Sequence, residues 1–448
     1  MSVRVDSKFS KKSLFIRIPA RNKYAPDRYV YPFTSTLVPF AYGLKQGFTA
    51  GVASGGADGS CGAVGIGTGE EVKYTFSGNL REEQTQVATQ AIDILNRAQS
   101  LLLSTHVGFG KTVLAIYLLS RIGLKTIIIS HRLNLLQQWL EALESFLVQP
   151  RVQYIRGSDP LDTEQDIFVI NVVNVSKIKR DTGFIGLVII DEVHLILSEI
   201  FSRALLAFQP QYLVGLSATP YRLDQLDQLF EFFFGGKENL IYKPLHLKHH
   251  VFWIATPFVP EISTFKDGTL NWDSILRQQA EDEQRNELIV RIVQRHPEHK
   301  FLILCRRVAQ VKILEKLFCN YKIQAVYDSH QPKSNTDDHI LIGTSQKLGV
   351  GFDDKSRTAL ILAGDVKEYF VQYQGRLFRN PNATPVIFDI VDIQYGIFKK
   401  HFNTRLKQYK ESGGIIQQLD SETLCPIKPP PPKRRTQTLL KSSFFNQK

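Results

Sequence analysis

Two regions of the chain carry the same rhythm, in which short apolar runs alternate with longer segments whose apolar positions recur at helical spacing. In the first region, strands are predicted over Ser100–Ser104, Thr126–Ser130, Ile167–Asn171, Leu187–Ile190 and Tyr212–Leu216. Leu133–Phe146 predicts one of the amphipathic helices between them. Strands apolar on both alternating faces belong in a sheet covered on both sides, which calls for crossover helices and therefore parallel pairing. The pattern closes near Phe234-Gly235-Gly236. In the second region a long helix is predicted over Asp273–Gln294, followed by strands over Phe301–Cys305, Ile323–Tyr327, Ile340–Ile342, Ala359–Leu362 and Pro385–Ile390. The fold class is α/β, with two doubly wound parallel-sheet domains. The expected organisation is an N-terminal accessory module over residues 1–78, a first domain over 79–236, a less regular connector over 237–272, a second domain over 273–412, and a Pro-rich basic tail over 413–448.

The flanking segments differ in character. Leu14-Phe15-Ile16-Arg17-Ile18 and Val30-Tyr31-Pro32-Phe33 predict short strands, hence a small β-rich module. Its basic residues, among them Lys11, Lys12, Arg17 and Arg21, read equally as a nucleic-acid grip and as a solvated surface. Gly43–Gly69 is crowded with small residues but lacks a following Lys-Ser/Thr, so it reads as loops and turns. His246, His249 and His250 have no carboxylate or thiol at ligand spacing, which favours linker residues over a metal site. In the tail, Pro429-Pro430-Pro431-Pro432-Lys433-Arg434-Arg435 is a stiff polyproline stretch with a basic cluster. Gln437, Leu440 and Phe444-Phe445 resemble a sliding-clamp binding peptide with one residue too many. The other reading is a nuclear-localisation-like or polyanion-contacting tail.

Composition narrows the function classes. The 448 residues carry a net charge of +12, which favours a polyanionic partner, nucleic acid before membrane. Cys61, Cys305, Cys319 and Cys425 lie far apart without the paired spacings of zinc or redox sites, so a reducing compartment is expected. Neither a leader-like apolar start nor a membrane-spanning run is present, and an intracellular, soluble protein is expected.

Three runs carry chemistry. Thr105-His106-Val107-Gly108-Phe109-Gly110-Lys111-Thr112 joins a predicted strand to a predicted helix, and such a turn aims backbone N–H groups and a positive helix end at one spot. It reads as a triphosphate cradle, with Lys111 reaching the β- and γ-phosphates and Thr112 ligating Mg²⁺. Thr105 stands where the strict pattern has Gly. Leu187-Val188-Ile189-Ile190-Asp191-Glu192-Val193-His194 places two carboxylates at the end of a buried strand. Asp191 would bind the Mg²⁺ shell and Glu192 would orient the attacking water. In Gln372-Tyr373-Gln374-Gly375-Arg376-Leu377-Phe378-Arg379, the two arginines stand three apart and would share a helix face, as arginine fingers directed at another domain's phosphates require. Such fingers contribute about 10³ to 10⁵ in phosphoryl-transfer rate.

Taken in order, Leu80-Arg81-Glu82-Glu83-Gln84, GFGKT, DEVH, Ser217-Ala218-Thr219, Gly343-Thr344 with Gly349-Val350-Gly351-Phe352-Asp353, and QxxGRxxR resemble a superfamily 2 helicase. The XPB-like group, which includes the poxvirus transcript-release DNA helicase and phage UvsW, is the most similar. That likeness rests on Gln138-Trp139, Ser217–Asp224 and Asp389-Ile390-Val391-Asp392. The resemblance implies two RecA-like domains using ATP and Mg²⁺. It places Arg81 and Gln84 beside the adenine, and gives His194, Ser217, Ala218, Thr219, Gly351, Asp353 and Gln372 a coupling role. Ser130, Arg132, Asn171, Thr344 and Ser345 would meet the phosphates of one strand. Gly349-Val350-Gly351 departs from the family's usual acidic residue, and no nuclease, zinc or methyltransferase signature accompanies the set.

The expected activity is that of an ATP-dependent DNA helicase or translocase acting on duplex or branched DNA in transcription, recombination or repair. The resemblance points to a large DNA virus or phage as its source, with the host nucleus or cytoplasm, or the virion, as its location. An RNA helicase and a non-unwinding nucleic-acid-binding scaffold are the rival readings.

Overall fold

The computed structural model describes residues 2–4, 16–18, 28–30, 37–45, 69–106, 108–178, 182–198, 205–218, 228–244, 246–327, 337–348, 356–366 and 383–427. Two seven-stranded sheets dominate, and every pairing within them is parallel.

The first sheet is built from β1 (Ser100–Thr105), β2 (Thr126–Ser130), β3 (Val152–Ile155), β4 (Ile167–Asn171), β5 (Leu187–Ile190), β6 (Tyr212–Ser217) and β7 (Leu240–Lys243), in the spatial order β7-β1-β6-β5-β2-β4-β3. Its strands divide their side chains strictly between two cores. Leu101, Leu103, Ile128, Val169, Ile189 and Leu216 pack on one side with helices α1 (Glu82–Ala98), α2 (Lys111–Ile122) and α3 (Leu133–Phe146). Leu102, Ile127, Ile129, Ile170, Val188 and Ile190 pack on the other with α4 (Gln228–Phe234). Each such buried aliphatic side chain stabilises the fold by about 1.5–3 kcal/mol.

The second sheet comprises β8 (His249–Ala255), β9 (Phe301–Cys305), β10 (Ile323–Val326), β11 (Ile340–Thr344), β12 (Ala359–Leu362), β13 (Val386–Val391) and β14 (Gly414–Leu419), in the order β10-β11-β9-β12-β13-β8-β14. Ile303, Ile342, Ile361 and Phe388 face helices α6 (Glu283–Arg295) and α7 (Val308–Leu317). Leu302, Leu341, Leu360 and Ile387 face the opposite side, with Tyr409 of α8 (Gly396–Glu411). Two RecA-like α/β lobes therefore make up the bulk of the chain.

The long helix predicted over Asp273–Gln294 is two helices, α5 (Trp272–Glu281) and α6. Asp282 between them is extended, with φ −62° and ψ 117°, and its carboxylate accepts a hydrogen bond from the Arg285 N–H at 2.8 Å. A short acidic side chain that satisfies a free N–H of the next helix favours a new start over continuation. The stretch read as a less regular connector supplies β7 to the edge of the first sheet and β8 to the interior of the second. Within it, His249 is buried and donates from Nδ1 to the Leu247 carbonyl at 2.7 Å.

The β-rich N-terminal segment contains two short antiparallel pairs, residues 2–4 with 37–39 and 16–18 with 28–30. The helix Phe40–Lys45 follows, with Phe40 fully buried in the first lobe's core and Tyr42 edge-on to Phe232. Among the described residues, no helix is long and apolar enough to cross a membrane. The clamp-like peptide and basic cluster of the tail lie outside the described residues.

Candidate active site

The register of the first sheet brings the C-terminal ends of its inner strands level. Ser217 pairs with Ser104, Gly215 with Ile190, Ile129 with Ile190, and Ser130 with Asn171. Everything that continues from those ends therefore collects along one edge, where ligands of open parallel sheets bind.

The turn between β1 and α2 is shaped by its glycines. Gly108 has φ +84° and Gly110 φ +89°, a region that disfavours any residue with a Cβ. A Cβ on Gly110 would also collide with the Gln84 amide and come within 3.3 Å of Arg81 Nη2. That crowding comes from the start of α1, which grips the turn from outside. Gln84 donates to the Phe109 carbonyl at 2.8 Å and accepts from the Arg81 N–H at 2.9 Å. Arg81 donates to the carbonyls of Phe109 and, at 3.3 Å, Gly108. Phe109 is buried in the core, with His106 edge-on to it at 5.4 Å. Arg81 and Gln84, expected beside an adenine, thus brace the loop itself. Lys111 and Thr112 open α2, and Lys111 Nζ donates to the carbonyls of Thr105 at 3.1 Å and His106 at 3.4 Å. Val107 lies outside the described residues.

Asp191 and Glu192 leave the end of β5. The Asp191 N–H donates to the Ile129 carbonyl, and its side chain is held at both oxygens: Oδ2 accepts from the Trp139 indole at 3.0 Å and Oδ1 from the Glu192 N–H at 3.0 Å. Burial, and after it the neighbouring Glu192 carboxylate, push Asp191 up to about 6. Glu192 sits at φ +49° and is likewise raised by burial, with Lys111 and Arg132 pulling in the opposite direction. Its Oε2 has no hydrogen-bond partner and lies 3.4 Å from His194 Nδ1, which is itself 2.9 Å from the Ser217 hydroxyl. This chain of contacts joins the acid pair to the end of β6 and to buried Ala218. Thr219 lies outside the described residues.

On the far side of the acid pair, Ser130 ends β2 and Arg132 caps α3. Asn171 ends β4, accepts from the Val173 N–H at 3.1 Å and donates to the His131 carbonyl at 3.3 Å. His131, between Ser130 and Arg132, lies outside every motif of the sequence. Burial, then Arg132 and His194, push it down to about 4, so it is neutral, and its Nε2 accepts from Arg132 Nε at 3.0 Å. Ser104, too, stands outside the motifs, at the end of an apolar strand. The hydroxyls of Ser104, Thr105 and Ser130 are buried without hydrogen-bond partners, all at this same edge. Buried polar groups are normally satisfied. A Gly-shaped loop, a lysine opening a helix, a buried and a half-buried acid, and the unpaired hydroxyls of Ser104 and Thr105 together fit a nucleoside triphosphate with its divalent cation. Lys111 and Thr112 would face the phosphates and Asp191 the metal.

In the second lobe Thr344 ends β11 and Ser345 begins the short helix that follows, both buried. Gly351, Asp353, Gln372, Arg376 and Arg379 lie outside the described residues. The C-terminal edge of this sheet carries a buried polar network that the sequence did not announce. Arg285 pairs with Asp392, which also accepts from Thr256 and Gln279. Arg405 makes a two-pronged pair with Asp389 at 2.8 and 2.9 Å and donates to the Val366 carbonyl at 2.6 Å. Tyr409 donates to Asp389 at 2.8 Å.

Comparison with known proteins places this arrangement. The family described as "Type III restriction enzyme, res subunit" matches residues 77–222, which span the first lobe's glycine loop and acid pair. The chain is 39% identical over 377 residues to Putative helicase 161L of Invertebrate iridescent virus 6, covering 77% of this chain and 84% of that protein. It is 25% identical over 371 residues to Putative ATP-dependent RNA helicase L396 of Acanthamoeba polyphaga mimivirus, covering 77% and 70%. It is 22% identical over 336 residues to DNA 3'-5' translocase XPB2 of Sulfurisphaera tokodaii, covering 63% and 76%.

Proposed function

The chain belongs to the superfamily 2 helicases, and from that premise we propose that it couples ATP hydrolysis to movement on, or remodelling of, duplex or branched DNA. The observation that carries the reading is the convergence at one sheet edge of the Gly108–Gly110 turn, Lys111 and the Asp191–Glu192 pair, with the unpaired hydroxyls of Ser104 and Thr105 at the end of β1. Lys111 neutralises phosphate charge, Thr112 and Asp191 hold Mg²⁺, and Glu192 draws a proton from the attacking water. The bound cation supplies the charge that offsets the build-up on the phosphate oxygens. His194 and Ser217 relay the state of the acid pair to β6. Ser130, Arg132 and Asn171 of the first lobe, with Thr344 and Ser345 of the second, contact one strand's phosphates, so binding weakens steeply with salt. Arg376 and Arg379, by the resemblance, act as the arginine fingers.

DNA is favoured by the likeness to a protein named a DNA translocase, and RNA by the likeness to one named an RNA helicase. Steady-state ATP hydrolysis with single-stranded DNA, duplex DNA, a forked junction or RNA separates the two readings. The expected result is stimulation by DNA, greatest on forks or duplex. Stimulation by RNA alone would replace the DNA reading with the RNA one.

A further inference from the structure

Trp139 is among the largest fully buried side chains of the protein, 1% exposed on the sheet-facing side of α3 between Leu136 and Leu143. Packing alone would be served there by Phe or Leu. An indole brings an N–H that is costly to bury unpaired, and in this place it donates to one acceptor, Asp191 Oδ2, at 3.0 Å. The other oxygen of that carboxylate receives the Glu192 backbone N–H at 3.0 Å. Two donors fixed in rigid groups, one a ring locked in a core and the other a peptide, leave the carboxylate a single orientation.

The helix that carries Trp139 has further attachments. It starts at its cap Arg132, immediately after Ser130 and His131, and it packs against α2, whose first residue is Lys111. Resting on the reading of Asp191 as a metal ligand, the geometry assigns Trp139 the part of a positioning residue: its indole N–H sets the Asp191 carboxylate for Mg²⁺·nucleotide and ties that carboxylate to the helix that begins at Arg132. The donor is neutral, so it orients the carboxylate without competing with the cation for charge, as the hydrogen-bonded partners of metal-ligating groups do.

The test is a double-mutant cycle on binding, which needs no turnover. ADP affinity is measured by titration calorimetry with Mg²⁺ and with EDTA, for the wild type, Trp139→Phe, Asp191→Asn and the double variant. Trp139→Phe is expected to weaken Mg²⁺-dependent ADP binding by about tenfold or more, to leave binding in EDTA unchanged, and to add nothing in the Asp191→Asn background. Benzothienylalanine at position 139 keeps the ring shape and replaces the N–H with sulfur. It is expected to reproduce the loss, which covers the case in which the Phe variant folds poorly. Leu143→Ala, a packing control on the same helix face, is expected to lower stability without moving the Mg²⁺ dependence. Wild-type affinity in both position-139 variants, a loss equal with and without Mg²⁺, or a loss fully additive with Asp191→Asn would each overturn the assignment and leave the ATPase reading standing. A wild-type chain that bound no Mg²⁺·ADP would overturn both.

Discussion

Glu192→Gln is expected to lower nucleic-acid-stimulated ATP hydrolysis by about 10² to 10⁴ while leaving ATP affinity within a few fold. Gln has the same shape and can still accept a hydrogen bond, but it cannot take a proton from water. The Glu192 Oε2 has no hydrogen-bond partner, and the side chain is 16% exposed, which suits a group whose partner arrives with the substrate. Burial already disfavours the charged form, and the backbone is held at φ +49° to present it. Removing the charge therefore relieves a cost to the fold, and the variant is expected to melt no lower than the wild type. Single-turnover hydrolysis, nucleotide titration and a thermal melt check the three parts together. Loss of ATP binding in step with hydrolysis would assign Glu192 to binding rather than to water activation.

Arg405→Met is expected to destabilise the second lobe by about 3–5 kcal/mol, a fall of roughly 10 °C in its unfolding midpoint. Arg405 is buried between Asp389 and Asp365. Burial works against its charge, and the Asp389 carboxylate more than offsets that, so its pKa is raised. A methionine fills much of the volume but leaves two buried carboxylates, one supported by Tyr409 and the other by His401. Because the penalty comes from the stranded charge, Arg405→Met with Asp389→Leu is expected to regain part of the loss. Equal destabilisation of the single and double variants would place the cost in packing.

The inner strands were legible because a parallel strand covered on both faces has to be apolar throughout, and Ile127-Ile128-Ile129 or Leu187–Ile190 can serve no solvated edge. Helix α3 was legible to its ends, since Leu136, Trp139 and Leu143 mark one helical face. The edge strands Val152–Ile155 and Gly414–Leu419 are half-buried or exposed along their length, each with one buried residue at its C-terminal end, and look like loops in sequence. The break at Asp282 was hidden because acidic residues are also common on solvated helix faces. What it achieves, turning Arg285 into the core toward Asp392, depends on a partner 107 residues away. The glycine loop and the acid pair could be read because each is local in sequence. The Trp139–Asp191 bond could not, since its partners are 52 residues apart and meet only when α3 packs on the sheet.

Steady-state ATP hydrolysis with and without DNA, wild type beside Lys111→Ala, decides whether the edge formed by β1, β5 and β6 hydrolyses ATP under the control of nucleic acid. Lys111 opens α2 with its ammonium on the carbonyls of Thr105 and His106, from which it would meet the phosphates. The expected result is hydrolysis that rises when DNA is added and falls by about 10² to 10³ in the variant. Hydrolysis unchanged by Lys111→Ala, or no hydrolysis by the wild-type chain with any nucleic acid, would contradict it.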